Sequence, residues 1–277
     1  MTEERAKREE LGPGPGAAGA PAGCRGEPGF CGSEAGDGRR EPGRVLVALP
    51  LYNEAATVGR VLAAVRRHTE ADILVVDDGS TDGSGALAAG IPGVRVLSHD
   101  RNRGYGAALL SAFRWAGERG YGSLITLDCD EQHEPALIPR FLAELARGWD
   151  VVSGSRYLPQ SPRRGEPPPD RVAINRAVTE IINKLTGWQL TDAFCGLKAY
   201  RVAALAKLEL DEPGYGFPLQ FWLQAYRHGL RVTELPVDLI YFPRERGFGG
   251  GLDDPQRRLA YYQEVIGREV ARWQRSW

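Results

Sequence analysis

From Arg44 onward the chain alternates short apolar runs with stretches of helical periodicity, and this alternation limits the fold more than any other feature. The runs Val45 to Leu49, Ile73 to Val76, Val94 to Leu97, Leu124 to Leu127 and Val151 to Val152 read as buried strands. Between the first two, Val58, Val61, Leu62 and Val65 recur at helical spacing, and Ile138, Phe141, Leu142 and Leu145 repeat it ahead of the fifth. The order β-α-β-α-β predicts an α/β fold, a single Rossmann-like domain whose mainly parallel central sheet is flanked by helices through right-handed crossovers. Ligands of such sheets collect at the carboxyl ends of the strands. Beyond this core, residues 158–170 (LPQSPRRGEPPPD) form a loop that reads equally as a mobile lid and as a solvated connector. Val178, Ile181, Ile182 and Leu185 then mark a helix, followed by a helix over 217–228, a strand-like stretch from Val232 to Tyr241 and a C-terminal helix from about residue 255.

The 277 residues, 42% hydrophobic, suffice for one main domain with a substantial core. Residues 1–43 are rich in Gly, Pro, Ala, Glu and Arg and carry too little apolar surface to offset the entropy of ordering, so a disordered tail is expected there. Residues 44–250 then form the domain and 251–277 a C-terminal helix. With 35 basic and 36 acidic residues the net charge is -1, which gives no global field for nucleic acid, so an anionic ligand must be held locally. The four cysteines, Cys24, Cys31, Cys129 and Cys195, form no close-spaced pair, and no N-terminal apolar stretch resembles a signal peptide. No apolar run approaches the roughly 18–20 residues that span a bilayer. A cytoplasmic protein is expected, at most peripheral at the cytoplasmic membrane face. Tyr261, Tyr262, Trp273 and Trp277 of the C-terminal helix fit a headgroup interface, though packing onto the domain accounts for them more simply.

The distinctive motifs sit just after predicted strands. PLYNE at 50–54 offers a rigid turn, an aromatic face for a base and a carboxylate for its N–H groups; equally, it is a proline turn with Asn53 capping the next helix. VDDGSTDGS at 76–84 places carboxylates where ribose hydroxyls or a base can bind, with Gly79 and Gly83 permitting a tight turn. It lacks the spacing and distant Glu of a calcium loop. In DCDEQH at 128–133, two carboxylates straddling a strand end can share a hard divalent cation, although a solvated acidic turn has the same composition. His133 reads as a structural neighbour rather than a ligand for such an ion. NRGYGA at 102–107 opens a helix with small residues but is no dinucleotide fingerprint, which disfavours a Rossmann dehydrogenase.

These motifs, with GSRY at 154–157 and FCGLKAY at 194–200, occur together and in order, and over roughly residues 45–250 the chain resembles the family 2 glycosyltransferases of the dolichyl-phosphate mannose synthase type, with the GT-A fold. The resemblance implies that Pro50, Tyr52, Glu54, Asp77 and Asp78 hold the nucleotide base and ribose of a nucleotide diphosphate sugar. It implies that Asp128, Asp130 and Gln132 hold Mg²⁺ or Mn²⁺ and the diphosphate, Asp128 and Asp130 serving catalysis. It further implies an acceptor-phosphate site at Arg156, Arg171 and Arg244, guanidinium forks being suited to phosphate oxygens. Direct displacement with inversion at the anomeric carbon is the implied chemistry.

Two departures bear on the acceptor. Asn175 stands where the family often has serine, and Gly249-Gly250 stands where it often has Ser-Lys, so the usual lysine is missing. Arg246 or Arg103 are the candidates to supply its charge. A hydroxyl acceptor needs a positioned base, whereas a phosphate is already anionic at neutral pH. The segment Gly214 to Gln220 carries no carboxylate, which favours a polyprenyl-phosphate acceptor, and Asp192 is the remaining candidate base. The expected reaction is transfer of a hexose, mannose favoured, to polyprenyl phosphate. Transfer to a sugar or protein hydroxyl, and a catalytically silent nucleotide-sugar binding module, are the alternatives.

Overall fold

A computed structural model of the chain describes residues 43–241 and 247–274. The expected tail, Gly43 apart, lies outside the described residues, as do Arg244, Arg246 and Trp277. The five apolar runs become strands β1 (Val45–Leu51), β2 (Asp72–Asp77), β3 (Val94–Ser98), β4 (Ser123–Thr126) and β5 (Val151–Ser155). Helices α1 (Val58–His68), α2 (Ser84–Ala89), α3 (Tyr105–Glu118) and α4 (Ile138–Ala146) connect them. There follow β6 (Arg163–Arg164), α5 (Pro169–Thr186), β7 (Lys198–Arg201), α6 (Val202–Leu205), α7 (Phe217–Arg227), β8 (Val232–Pro236), β9 (Leu239–Ile240) and α8 (Pro255–Gln274).

The main sheet has the order β3-β2-β1-β4-β7-β5-β8. Its neighbours are parallel except at β7, which runs antiparallel to both β4 and β5. Because helices cover both faces, the inner strands are apolar without interruption: Leu46, Val47, Ala48 and Leu49 are all fully buried. Alternation of side chains divides them between two cores. Leu46, Ala48, Leu74 and Val76 pack with Phe113, Val178, Phe221 and Trp222, while Val47, Leu49, Ile73 and Val75 pack with Val58, Leu62 and Phe141.

Strand β7 was not foreseen among the apolar runs, because its sequence, KAYR, begins and ends with a charged residue. Lys198 at its start pairs with Thr126 at the end of β4. The segment that leads into β7 therefore arrives at the edge where the parallel strands end. The stretch from Val232 to Tyr241 is two strands rather than one. Pro236, which has no N–H to donate, ends β8. Strand β9 then leaves the sheet to pair with β6. That ladder, with an ion pair from Arg164 to Glu134 at 2.8 Å, ties residues 163–164 of the 158–170 loop to the domain.

Helix α8 buries Tyr262, Val265 and Ile266 in the core, Tyr262 lying 5.0 Å from the Phe194 ring and Trp273 6.0 Å from Tyr226. These aromatics are accounted for by packing on the domain. Among the described residues, no helix is long and apolar enough to cross a membrane. Trp222 of α7 is fully buried and its Nε1–H donates to the Ala193 carbonyl at 2.9 Å, so one side chain joins the core to the segment ahead of β7. Trp222→Ala is expected to cost about 3–5 kcal/mol, read as a lowered midpoint in denaturant unfolding.

Candidate active site

The loop after β1 and the loop after β2 are built as one unit. Asn53 takes a left-handed φ of 54°, a conformation Asn tolerates, and its Oδ1 accepts from Thr81 N–H at 2.7 Å. Its own N–H donates to Ser80 Oγ at 2.9 Å, and Asp82 accepts from Ala55 N–H at 2.9 Å. Asn53 thus latches the two loops together and does not cap α1. The latch leaves Pro50, Tyr52 and Glu54 on the wall of a cavity of about 510 Å³, beside Asp78, Asn102, Gly104 and Tyr105.

Asp78 is buried, and its two oxygens accept from Arg103 N–H at 2.9 Å and Gly104 N–H at 2.8 Å, with His99 Nδ1 at 2.6 Å. It therefore fixes the start of α3 as well as lining the cavity. Asp77 is turned away from it: Oδ1 accepts from Ser80 N–H at 3.0 Å, and its carboxylate packs against Gly85, where an added Cβ would meet Oδ2 at 2.1 Å. Arg103 bonds Asp100 at 2.6 Å on the exposed surface and is not on the cavity wall.

Asp128, Asp130 and Gln132 come together on the far wall. Glu131 between them takes a left-handed φ of 63° and is held by a two-pronged pairing with Arg60 at 2.8 and 2.9 Å. Gln132 N–H donates to Asp130 Oδ1 at 3.0 Å, closing the turn. Tyr105 donates its hydroxyl to Asp128 Oδ1 at 3.1 Å, and His133 Nε2 lies 3.1 Å from Oδ2. Burial opposes ionisation of Asp128, but the His133 and Tyr105 hydrogen bonds and the charge of Lys198 outweigh it, so its carboxyl stays below the usual range. The closeness depends on Gly196, where a Cβ would stand 2.2 Å from Asp128 Oδ2. Lys198 reinforces that turn from beneath, donating to the Cys195 carbonyl. Carboxylate and amide oxygens on one wall are hard donors of the kind a divalent cation takes, although among the described residues no group of three or more His, Cys, Asp or Glu side chains is placed to hold a metal ion.

A second cavity of about 220 Å³ shares Tyr105, Asp128, Gln132, Arg171, Tyr215, Tyr241 and Phe248 with the first. Its wall carries Arg156, Arg171 and Asn175 among apolar and aromatic side chains, and Asp128 is its one lining carboxylate among the described residues. Arg171 lies over the Phe248 ring at 4.7 Å and has no carboxylate partner among the described residues. Arg156 donates from Nε and Nη2 to Asp192 at 2.7 and 2.9 Å.

Asp192 corrects the expectation of a base. It is fully buried, off both cavity walls, and accepts from Arg156, from Asn175 Nδ2 at 2.8 Å and from Phe194 N–H at 3.1 Å. Burial alone would raise its pKa, but the Arg156 charge and these hydrogen bonds hold it at about 2. A carboxylate so saturated is a poor proton acceptor and serves to orient Arg156 and Asn175. Asn175 thereby also has its role fixed: it donates to Asp192 and accepts from Thr179 at 3.0 Å.

Sequence reasoning missed Tyr105, Tyr215, Phe248 and Arg258 as wall residues. The motif at 102–107, the segment 214–220 and Gly249-Gly250 lay beside or around three of them without marking the side chains themselves. Because the pKa of Asp192 falls from 3.8 to about 2 on folding, its pairing stabilises the fold above pH ~4, and this is lost as pH drops through 2. Asp192→Asn leaves Arg156 buried without its counter-charge, an expected cost of about 3–5 kcal/mol at pH 7. In thermal unfolding followed against pH, the gap between wild type and variant is expected to narrow from pH 4 downward.

Residues 46–209 match the family model of glycosyl transferase family 2. The chain is 38% identical over 208 residues to an undecaprenyl-phosphate mannosyltransferase of Micrococcus luteus, covering 71% of this chain and 84% of that protein. It is 35% identical over 213 residues to a polyprenol monophosphomannose synthase of Mycolicibacterium smegmatis, covering 74% and 79%. A glucosyl-3-phosphoglycerate synthase from Mycobacterium tuberculosis, solved with Mn²⁺ and uridine diphosphate, superposes with a TM-score of 0.62 at 21% identity over 82% of this chain and 79% of that one. That likeness is one of fold, and it matches the GT-A arrangement. With its strand-end motifs gathered on one cavity and more than half its length within the family match, the chain belongs to glycosyl transferase family 2.

Proposed function

We propose that the protein transfers a hexose, mannose favoured, from a nucleoside diphosphate sugar to a polyprenyl phosphate, with inversion. The observation that carries this reading is the pair of cavities joined at Asp128, Gln132 and Arg171, one walled by Tyr52, Glu54 and Asp78, the other by Arg156 and apolar side chains. The first suits a nucleoside: Tyr52 offers a stacking face, and the Glu54 and Asp78 carboxylates accept from base N–H or ribose hydroxyl groups. Asp128, Asp130 and Gln132 would hold Mg²⁺ or Mn²⁺, which when bound offsets charge developing on the departing diphosphate.

In the second cavity Arg156 and Arg171 bind and orient the acceptor phosphate. One of its oxygens forms the bond to the anomeric carbon while the bond to the diphosphate oxygen breaks, the electron pair leaving with the nucleoside diphosphate. A phosphate oxygen carries no proton to remove, so the reaction needs no base. This agrees with Asp192 being saturated, and with Glu212, the carboxylate nearest the 214–220 segment, being buried and paired with Arg268 and Tyr261. The apolar remainder of the wall, with Ile174, Phe194 and Pro218, suits the first isoprene units. The polyprenyl-phosphate and mannose specificities of the two curated relatives support the same acceptor and sugar.

Purified protein incubated with labelled GDP-mannose or UDP-glucose, a short polyprenyl phosphate and Mg²⁺ or Mn²⁺ is expected to give a lipid-phosphate sugar. Asp130→Ala is expected to lower the rate ~100-fold or more, the scale of a lost charge-stabilising group, and chelation to abolish it. Donor binding without lipid product would instead favour a hydroxyl acceptor or a silent binding module.

A further inference from the structure

The second cavity carries a cation beyond Arg156 and Arg171. We infer that Arg258, in the first turn of α8 and outside the 46–209 family match, is a third guanidinium of the acceptor-phosphate site. The inference rests on the phosphate-acceptor reading above.

Arg258 lines the second cavity with Arg156 and Arg171, yet its side chain is only 3% exposed. Its guanidinium lies 4.6 Å from the centre of the Phe248 ring, and Arg171 lies 4.7 Å from the same centre. Phe248 therefore carries a guanidinium from α5 and one from α8, both at the cavity. Nη2 meets Asp170 at 2.5 Å and Nη1 donates to the Leu252 carbonyl at 2.8 Å. Among the described residues these contacts account for two of its five N–H donors. Asp170 is not on the cavity wall, as Asp192 behind Arg156 is not. In both cases the counter-charge orients the fork from behind and leaves the wall itself cationic.

Placement of Arg258 also runs against local preference. A cation in the first turn of a helix faces the positive end of the helix dipole, and burying it adds a desolvation cost. Such conflicts between local and global demands concentrate at functional sites. Arg103, by contrast, is bonded to Asp100 away from the wall.

The test is calorimetric titration of the full chain with a short prenyl phosphate, beside titration with nucleoside diphosphate and a thermal unfolding scan. Arg258→Gln is expected to weaken prenyl-phosphate binding about 10- to 100-fold, the range for hydrogen bonds to a charged group, with nucleotide affinity unchanged. Arg258→Lys should recover part of the loss, because it restores charge without the fork. Arg268→Gln removes another ion pair of α8, one that does not line the second cavity, and should leave prenyl-phosphate affinity intact, which separates ligand contact from loosening of the helix. Equal binding by wild type and Arg258→Gln, or an equal loss in Arg268→Gln, would overturn the inference. Binding lost in Arg258→Gln with no wild-type turnover would sustain it while removing the transfer reaction, and wild type that binds no prenyl phosphate would remove both.

Discussion

The buried pair of Arg156 and Asp192 is the contact on which the acceptor side of this molecule depends. Arg156 follows β5, Asp192 precedes β7, Asn175 joins them from α5, and Glu234 of β8 accepts from the Thr191 and Asp192 amides at 2.8 and 3.1 Å. Four elements are thus fixed around one carboxylate. A buried pair of this kind contributes little net stability when compared with well-packed apolar side chains, but losing one partner is costly. Its value here lies in position: with two of its nitrogens held by Asp192, the guanidinium has one orientation available at the wall.

That pair exists only because β7 is antiparallel. Had the segment after α5 entered the sheet in the same sense as its neighbours, residues 192–196 would lie at the opposite edge from Asp128. Instead the turn at Cys195-Gly196 abuts Asp128 and His133, so close that only glycine fits at 196. The same device gives the second cavity its shared border with the first. A donor diphosphate and an acceptor phosphate are both anionic, and bringing them together requires cationic groups on a wall that the sheet alone would not supply.

The two halves of the site are built by different means. On the nucleotide side, loops following β1, β2 and β3 are cross-linked by short polar side chains, Asn53 to Thr81, Asp82 to Ala55 and Asp78 to the segment that opens α3. Strain is confined there to Asn53 and Glu131, the non-glycine residues with positive φ among the described residues. On the acceptor side, long guanidinium side chains reach the wall from the end of β5, from α5 and from α8; Arg156 and Arg258 are held by carboxylates behind them, and Arg171 lies over the Phe248 ring. The first arrangement is local in sequence, and the second draws on residues more than a hundred positions apart.

This difference explains what was legible. The parallel strands, their helices and the strand-end motifs were plain in the sequence because apolar periodicity and the backbone demands of tight turns are local properties. Pro50, Tyr52, Glu54, Asp78, Asp128, Asp130 and Gln132 could be read together because each sits at or just beyond the end of such a strand, where this fold class puts its ligands. Motif order was enough to mark the family. Strand β7 gave no signal, since four residues of mixed character hold their place through neighbours on both sides rather than through any pattern of their own. Asp192 looked like a base because a sequence shows a carboxylate without its partners, and only the packed structure reveals that Arg156 and Asn175 saturate it. Arg258 was one of many arginines on a helix. The sequence by itself determined the sheet, the donor-side loops and the family; tertiary structure decided the reversed strand, the role of Asp192 and the arginine wall, because these depend on long-range pairing of buried charge, which no local pattern encodes.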